Sequence, residues 1–97
     1  MIIKTKDSLH DFSGANEIRF YCSALEEYAC DFYGSPEGVI AVNAHYCTPF
    51  PEWEYKVKTV ALFLDARIAE KLVNSLTEAL KAGQETFDVT EWYNKQQ

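Results

Sequence analysis

The chain has 97 residues, 47% hydrophobic and 14% aromatic, so it is long enough for one domain with a modest core and too apolar for a disordered segment. Nine basic against fifteen acidic residues give a net charge of −6, which argues against direct binding to nucleic acid or to an anionic membrane. No apolar run approaches the roughly 20 residues of a membrane span, and the N-terminus does not resemble a signal peptide. We expect one cytoplasmic domain over residues 1–97.

The N-terminal residues predict a short strand followed by a loop. The segment MIIKTK starts apolar and then alternates weakly, as a short strand does. The segment DSLHDFSGAN that follows is rich in Asp, Ser, Gly and Asn, which favour turns and loops.

Residues 17–33 are compatible with two structures. At 100° per residue most of their apolar side chains fall within an arc of about 140°, which favours an amphipathic helix. Asn16 is a suitable N-cap for it and Gly34 a suitable end. The alternative is a hairpin with strands near 18–23 and 28–32, but Leu-Glu-Glu between them is poor turn chemistry. The helix is the preferred interpretation.

Residues 39–64 predict two strands joined by a proline-containing turn. The segment VIAVNAHYC is rich in β-branched and aromatic residues, and WEYKVKTVALFL alternates in its first half. In that first half we expect Trp53, Tyr55 and Val57 to point inward and Glu54, Lys56 and Lys58 to point outward.

The clearest element is a helix over residues 66–82. Its apolar residues recur at helical spacing, Asp65 supplies an N-cap, and Gly83 follows the last turn. In the tail, Phe87 and Val89 alternate with acids and predict a final strand. The chain is therefore expected to be a small α+β domain. An antiparallel sheet of about three to four strands packs against two helices, in the approximate order β-α-β-β-α-β.

The cysteines and histidines do not form a recognisable catalytic or metal motif. Cys22, Cys30 and Cys47 lack the tight pair spacing of zinc sites, and no nucleophile elbow or glycine-rich phosphate loop is present. We expect a protein that is not an enzyme, with no catalytic residue, metal or cofactor. A small Cys/His enzyme or metal protein built on the three cysteines and His45 is the alternative.

The uneven distribution of charge suggests a binding role. Residues 1–34 hold six acids against three bases, and residues 84–97 hold three against one. A surface rich in carboxylates can occupy a basic, nucleic-acid-binding surface of another protein. We expect the partner-binding residues to be Glu17, Glu26, Glu27, Asp31, Asp88 and Glu91.

In size, charge and lack of catalytic motifs the chain is similar to phage-encoded inhibitors such as anti-CRISPR or anti-restriction DNA mimics, a likeness of class that involves no motif. It implies a protein that inhibits a basic partner without itself binding nucleic acid or membrane, as a monomer or weak dimer. Two further alternatives are a toxin-neutralising immunity protein and a structural module that pairs with its own copy through an edge strand or the aromatic hairpin end.

Overall fold

The described part of the chain forms two three-stranded sheets and two helices. A computed structural model describes residues 1–26, 30, 38–49 and 51–96. The elements in chain order are β1 (Ile2–Lys4), β2 (Leu9–Asp11), β3 (Asn16–Ala24), β4 (Ile40–Thr48), β5 (Glu54–Phe63), α1 (Ala66–Lys81), β6 (Thr86–Asp88) and α2 (Val89–Lys95). The α+β class predicted from the sequence is confirmed.

The two sheets differ in size and topology. In the small sheet β1 lies in the centre, antiparallel to β2 and parallel to β6. The large sheet has the order β3-β4-β5, and both of its pairings are antiparallel. Each sheet contributes to one apolar core, in which Ile3 of the small sheet and Val42 of the large one are both fully buried.

Helix α1 covers one face of the large sheet. Its N-cap is Asp65, whose carboxylate accepts a hydrogen bond of 2.8 Å from the Arg67 N–H, and Gly83 adopts a φ of 72° just past its end, as predicted. Its stripe of apolar residues is buried, with Leu72 and Leu76 at zero exposure. Of the described helices, neither α1 nor α2 is long and apolar enough to cross a membrane.

The helix preferred for residues 17–33 is wrong for its first part, which is strand β3. Ile18, Phe20 and Cys22 alternate towards the core and pack against it. Phe20 shows why the strand wins: it lies off the apolar arc of the helical pattern, yet it is buried at 5% exposure. Cys30 is helical and buried, while residues 27–29 and 31–37, where the rest of that prediction falls, lie outside the described residues.

Two terminal predictions are also corrected. The loop expected around residues 7–16 contains strand β2, because Leu9–Asp11 pair with β1. The predicted final strand ends at Asp88, and Val89 begins helix α2 instead. Asp88 caps that helix, and the Trp92 indole N–H donates a 3.0 Å hydrogen bond to the Ser75 hydroxyl of α1.

A β-bulge in β5 reverses the faces predicted for its first half. Val42 pairs with Ala61, but the next residue of β4, Asn43, pairs with Thr59, so Val60 is an extra residue on β5. From the bulge towards the N-terminus of β5 the alternation is inverted. Trp53, Tyr55 and Val57 are therefore exposed, and Glu54, Lys56 and Lys58 lie on the side that carries Tyr46 and the core.

The packing of α1 predicts a large stability difference between two leucines. Leu72→Ala removes a side chain with no exposure, and we expect it to lower the free energy of unfolding by about 2–5 kcal/mol. Leu64→Ala changes a side chain that is 73% exposed and should cost less than about 0.5 kcal/mol. Urea denaturation measures both, and equal losses would contradict the assigned core.

His10 of β2 lies in a partly buried setting. Its Nε2 lies 3.1 Å from the Ser8 hydroxyl, and its ring stacks on Phe12 at a centroid distance of 6.3 Å. Burial lowers the pKa of His10 below its ordinary value, and the nearby positive charge of Lys58 lowers it further.

This lowered pKa predicts a loss of stability in mild acid. The unfolded chain takes up the His10 proton near pH 6.5, whereas the folded chain resists it, so protonation favours unfolding as the pH falls below about 6.5. We expect the thermal midpoint of the wild type to fall more between pH 7.5 and pH 5.5 than that of His10→Gln. Parallel pH profiles for the two proteins would contradict the assignment.

Candidate interaction surface

The predicted acidic residues fall in separate parts of the fold. Glu17 lies at a β-bulge in β3, where two residues of β3 oppose Tyr46 between the pairs Asn16–Cys47 and Arg19–His45. Glu17 has a φ of 55°, the left-handed conformation that such bulges often require. Glu26 is exposed beyond the end of β3, and its carbonyl accepts the Cys30 N–H. Glu27 and Asp31 lie outside the described residues.

Asp88 and Glu91 have structural roles at the start of α2. The Asp88 carboxylate accepts a 3.0 Å hydrogen bond from the Glu91 N–H, and Glu91 forms a 3.2 Å ion pair with Lys95 one turn later. Both contacts stabilise the helix through capping and i,i+4 pairing. Asp88 is the last residue of β6 in the small sheet and Glu91 lies in α2 directly after it, whereas Glu17 lies in β3 of the large sheet and Glu26 follows that strand. The two predicted patches are thus carried by different sheets.

The face of the large sheet turned away from α1, here called the outer face, has three zones. At one end Ala41 has zero exposure, and Cys30 and Val39 are buried as well. In the middle, the Asn43 amide donates to the Ser23 hydroxyl at 3.0 Å, and the Thr59 hydroxyl donates to the Asn43 carbonyl at 2.7 Å. These polar groups satisfy one another across all three strands.

The third zone of the outer face holds an open cluster of three rings, here called the tyrosine–histidine cluster: Tyr21, His45 and Tyr55. The Tyr21 and His45 rings meet edge to face at 5.0 Å, and the Tyr55 ring lies 5.9 Å from His45. His45 Nδ1 and the Tyr55 hydroxyl are hydrogen-bonded. Tyr21 and Tyr55 are nevertheless 48% and 68% exposed. The rings are ordered by their mutual contacts while their outer surfaces face solvent.

A shallow cleft of about 270 Å³ adjoins the tyrosine–histidine cluster. Glu17 and Arg19 of β3 border it, and so does Cys47, whose sulfur lies 4.0 Å from a Glu17 carboxylate oxygen. The cleft thus combines aromatic faces, one carboxylate and one guanidinium. Such a site can hold a cationic or planar side chain of a partner by cation–π stacking and ion pairing.

The cysteines do not converge on His45. Cys47 and His45 share the outer face, as their spacing predicted, but Cys22 lies on the opposite face, where burial and the charge of Glu70 raise the pKa of its thiol. Cys30 is buried, and its thiol lies 3.9 Å from the Leu25 carbonyl. Within the described residues, no group of three or more His, Cys, Asp or Glu side chains can hold a metal ion.

A larger and mainly apolar concavity lies elsewhere. It is a groove of about 500 Å³ between the C-terminal half of β5 and α2. The Phe63 and Tyr93 rings stack in it at 5.9 Å, with Val60, Ile68 and Val89 along its walls. These side chains offer mainly apolar contact area, and Lys6 and Asp65 also border the groove.

The tyrosine–histidine cluster was not predicted from the sequence, because Tyr21 fell in the segment assigned to a helix and Tyr55 was expected to face the core. Regular alternation along β5 would put Tyr55 on the same side of the sheet as Phe63. The bulge at Val60 turns Tyr55 to the side that carries His45. No residue in this stretch of β5 is a glycine, the residue that most often marks a bulge in a sequence. Comparison with protein-family models, curated proteins and solved structures found no match for this chain.

The left-handed backbone at Glu17 is expected to lower the stability of the fold, because a residue with a side chain disfavours this conformation. Glycine adopts the left-handed conformation without the steric penalty of a side chain, about 1 kcal/mol, so Glu17→Gly should be at least as stable as the wild type. Glu17→Val, which is β-branched, should be less stable than either. Thermal melts of the three proteins measure this order, and a Glu17→Gly protein less stable than Glu17→Val would contradict it.

Proposed function

We propose that this protein binds another protein through the outer face of its large sheet and works by occupying a basic surface of that partner. It acts in the cytoplasm, without catalysis, a metal or a cofactor. The inhibitory form of this proposal is a phage-encoded anti-CRISPR or anti-restriction protein that takes the place of DNA on a nucleic-acid-binding surface. A toxin-neutralising immunity protein would use the same kind of docking.

The observation that supports this proposal is the exposure of the tyrosine–histidine cluster. Tyrosines whose rings are open while their hydroxyls or edges are fixed provide contact area at a low cost in conformational entropy. Tyr21 and Tyr55 meet this description, since both contact His45 and both remain about half or more exposed. Aromatic residues in this state are typical of the energetic centres of protein interfaces.

The charges around the cluster favour a partner rich in arginine and lysine. Glu17 borders the cleft, and Glu52 is exposed just before β5, three residues from Tyr55. Glu26 lies farther away, past the other end of β3, where Ala24 pairs with Ile40. The lysines of β5, Lys56 and Lys58, lie on the other side of the sheet. A guanidinium of the partner can stack on a tyrosine ring and pair with Glu17 at once. Acidic residues beyond the contact would add electrostatic steering rather than contact energy.

The outer face also has the form of a base-stacking platform, which makes single-stranded nucleic acid the competing ligand. Bases stack on exposed aromatic side chains of sheets in several RNA-binding folds. Such sites also carry basic residues that neutralise phosphates, whereas this chain has a net charge of −6 and Arg19 is the one base among the described residues bordering the cleft. We therefore propose a protein partner.

Substitutions on the outer face test this function. In a pull-down from host lysate at low and moderate salt, we expect Tyr21→Ala to weaken capture of the specific partner by about tenfold or more, the loss typical of a central interface tyrosine. The matched control is Tyr93→Ala, a partly exposed tyrosine of α2 away from the outer face. Equal capture by the wild type and Tyr21→Ala, or tight binding of a single-stranded oligonucleotide, would contradict the proposal.

The acidic residues are tested by charge reversal in the same assay. Glu27→Lys with Asp31→Lys should weaken capture by about tenfold. The loss should be larger at low salt than at moderate salt, because at moderate salt screening already weakens the electrostatic attraction of the wild type. Asp88→Asn tests the second patch, since asparagine still caps α2 while the charge is removed. Glu70→Lys with Glu78→Lys, both exposed on α1, changes the net charge as much as the double reversal does and is its control. Losses equal to that of the control would remove these acids from the interface.

A further inference from the structure

Strand β5 is an open edge of the large sheet. It pairs with β4 on one side, and in the described part of the chain no strand pairs with its other side. Residues 54–58 are all exposed, and Tyr55 and Val57 are 68% and 52% exposed. A strand edge of this kind presents unpaired backbone N–H and C=O groups to any other strand of suitable sequence.

The sequence along this edge is complementary to itself. Strand β5 begins at Glu54, so the proposed pairing extends it by two residues. From Glu52 to Lys58 the sequence runs Glu-Trp-Glu-Tyr-Lys-Val-Lys, with Tyr55 at its centre. Acids stand one and three residues before Tyr55, at Glu54 and Glu52, and lysines stand one and three residues after it, at Lys56 and Lys58. Large apolar residues, Trp53 and Val57, occupy the remaining mirrored pair.

We propose that β5 pairs antiparallel with β5 of a second copy of this chain, about a two-fold axis through Tyr55. Residues whose numbers mirror each other about 55 then stand opposite one another. Glu54 faces the second copy's Lys56, and Glu52 faces its Lys58. Trp53 faces its Val57, and the two Tyr55 residues face each other. The symmetry generates each unlike pair twice, so four ion pairs and two apolar pairs form along seven residues of edge.

The register is defined by the charges. Moving the axis by one residue towards the N-terminus places Glu54 opposite itself, and moving it by one residue towards the C-terminus places Lys56 opposite itself. Like charges directly opposite each other destabilise a strand pair. Lysines on an edge strand often prevent it from pairing with another strand, but here each lysine has an acid at the mirrored position. Trp53 and Val57 are also exposed, which adds apolar area that would favour pairing rather than prevent it.

The bulge at Val60 sets where the proposed pairing ends. The paired stretch ends at residue 58, before the bulge and before the region where β5 lines the groove beside α2. Directly opposed residues of an antiparallel pair point to the same side, so the outer faces of both copies lie on one side of the joined sheet. The strand order becomes β3-β4-β5 of one copy followed by β5-β4-β3 of the other. The two tyrosine–histidine clusters then share one six-stranded surface.

Sedimentation equilibrium of two charge variants tests this pairing. The acidic variant, Lys56→Glu with Lys58→Glu, and the basic variant, Glu52→Lys with Glu54→Lys, each place four like-charge pairs along the proposed register. We expect the wild type to dimerise and each variant alone to dissociate about tenfold or more readily. Mixed in equal amounts, the two variants should form a heterodimer about as stable as the wild-type dimer, because every opposed pair is again unlike.

Controls separate this result from changes in folding or net charge. Lys71→Glu with Lys81→Glu on α1 changes the net charge as much as the acidic variant does, at exposed positions away from β5, and should leave the dimer intact. Circular dichroism should show all variants folded, since each altered residue is exposed. A wild type that stays monomeric at millimolar concentration would overturn the proposal. So would charge variants that dimerise as well as the wild type, or a mixture that forms no heterodimer. The outcome is independent of the proposed partner, because sedimentation of the purified protein involves no partner.

Discussion

The bulge at Val60 is the constraint on which the rest of the surface depends. Because of this extra residue in β5, the alternation of side chains between the two sides of the sheet is inverted from one half of the strand to the other. On its C-terminal side Ala61 and Phe63 pack against the core beneath α1, and on its N-terminal side Tyr55 and Val57 face solvent. Without the bulge a regular alternation would turn Tyr55 to the same side as Phe63 and leave the outer face without its third ring.

The core itself is conventional and explains why the outer face can be left open. Leu72 and Leu76 of α1 pack against Phe20, Val42 and Val60 of the large sheet, and the small sheet adds Ile3 and Phe87. Burial on this side stabilises the domain, so the opposite face of β3, β4 and β5 need not contribute to stability. The one covered end of that face, around Ala41, shows that the exposure of Tyr21 and Tyr55 is local.

The predictability of the fold followed the strength of each local pattern. Helix α1 could be predicted with its cap and its end because Asp65, the apolar stripe and Gly83 agree. Strand β3 could not, because Ile18 and Cys22 fit both the helical and the strand period, and Phe20, which fits only the strand, was outweighed until pairing with β4 decided between them. Of the predicted acids, Glu17, Glu26 and Glu91 are exposed. The roles of Asp88 and Glu91 at α2 could not be predicted, since the tail was expected to form a strand.

Proton–proton contacts of the aromatic rings in solution test the central claim most directly, because they report which side of the sheet Tyr55 occupies. The structure predicts nuclear Overhauser effects from the His45 ring to both tyrosine rings of the outer face, at centroid distances of 5.0 and 5.9 Å. It predicts none from the Tyr55 ring to the methyl groups of Leu72 or Leu76. Strong contacts between Tyr55 and those leucines would show that β5 has no bulge and would contradict the account of the outer face.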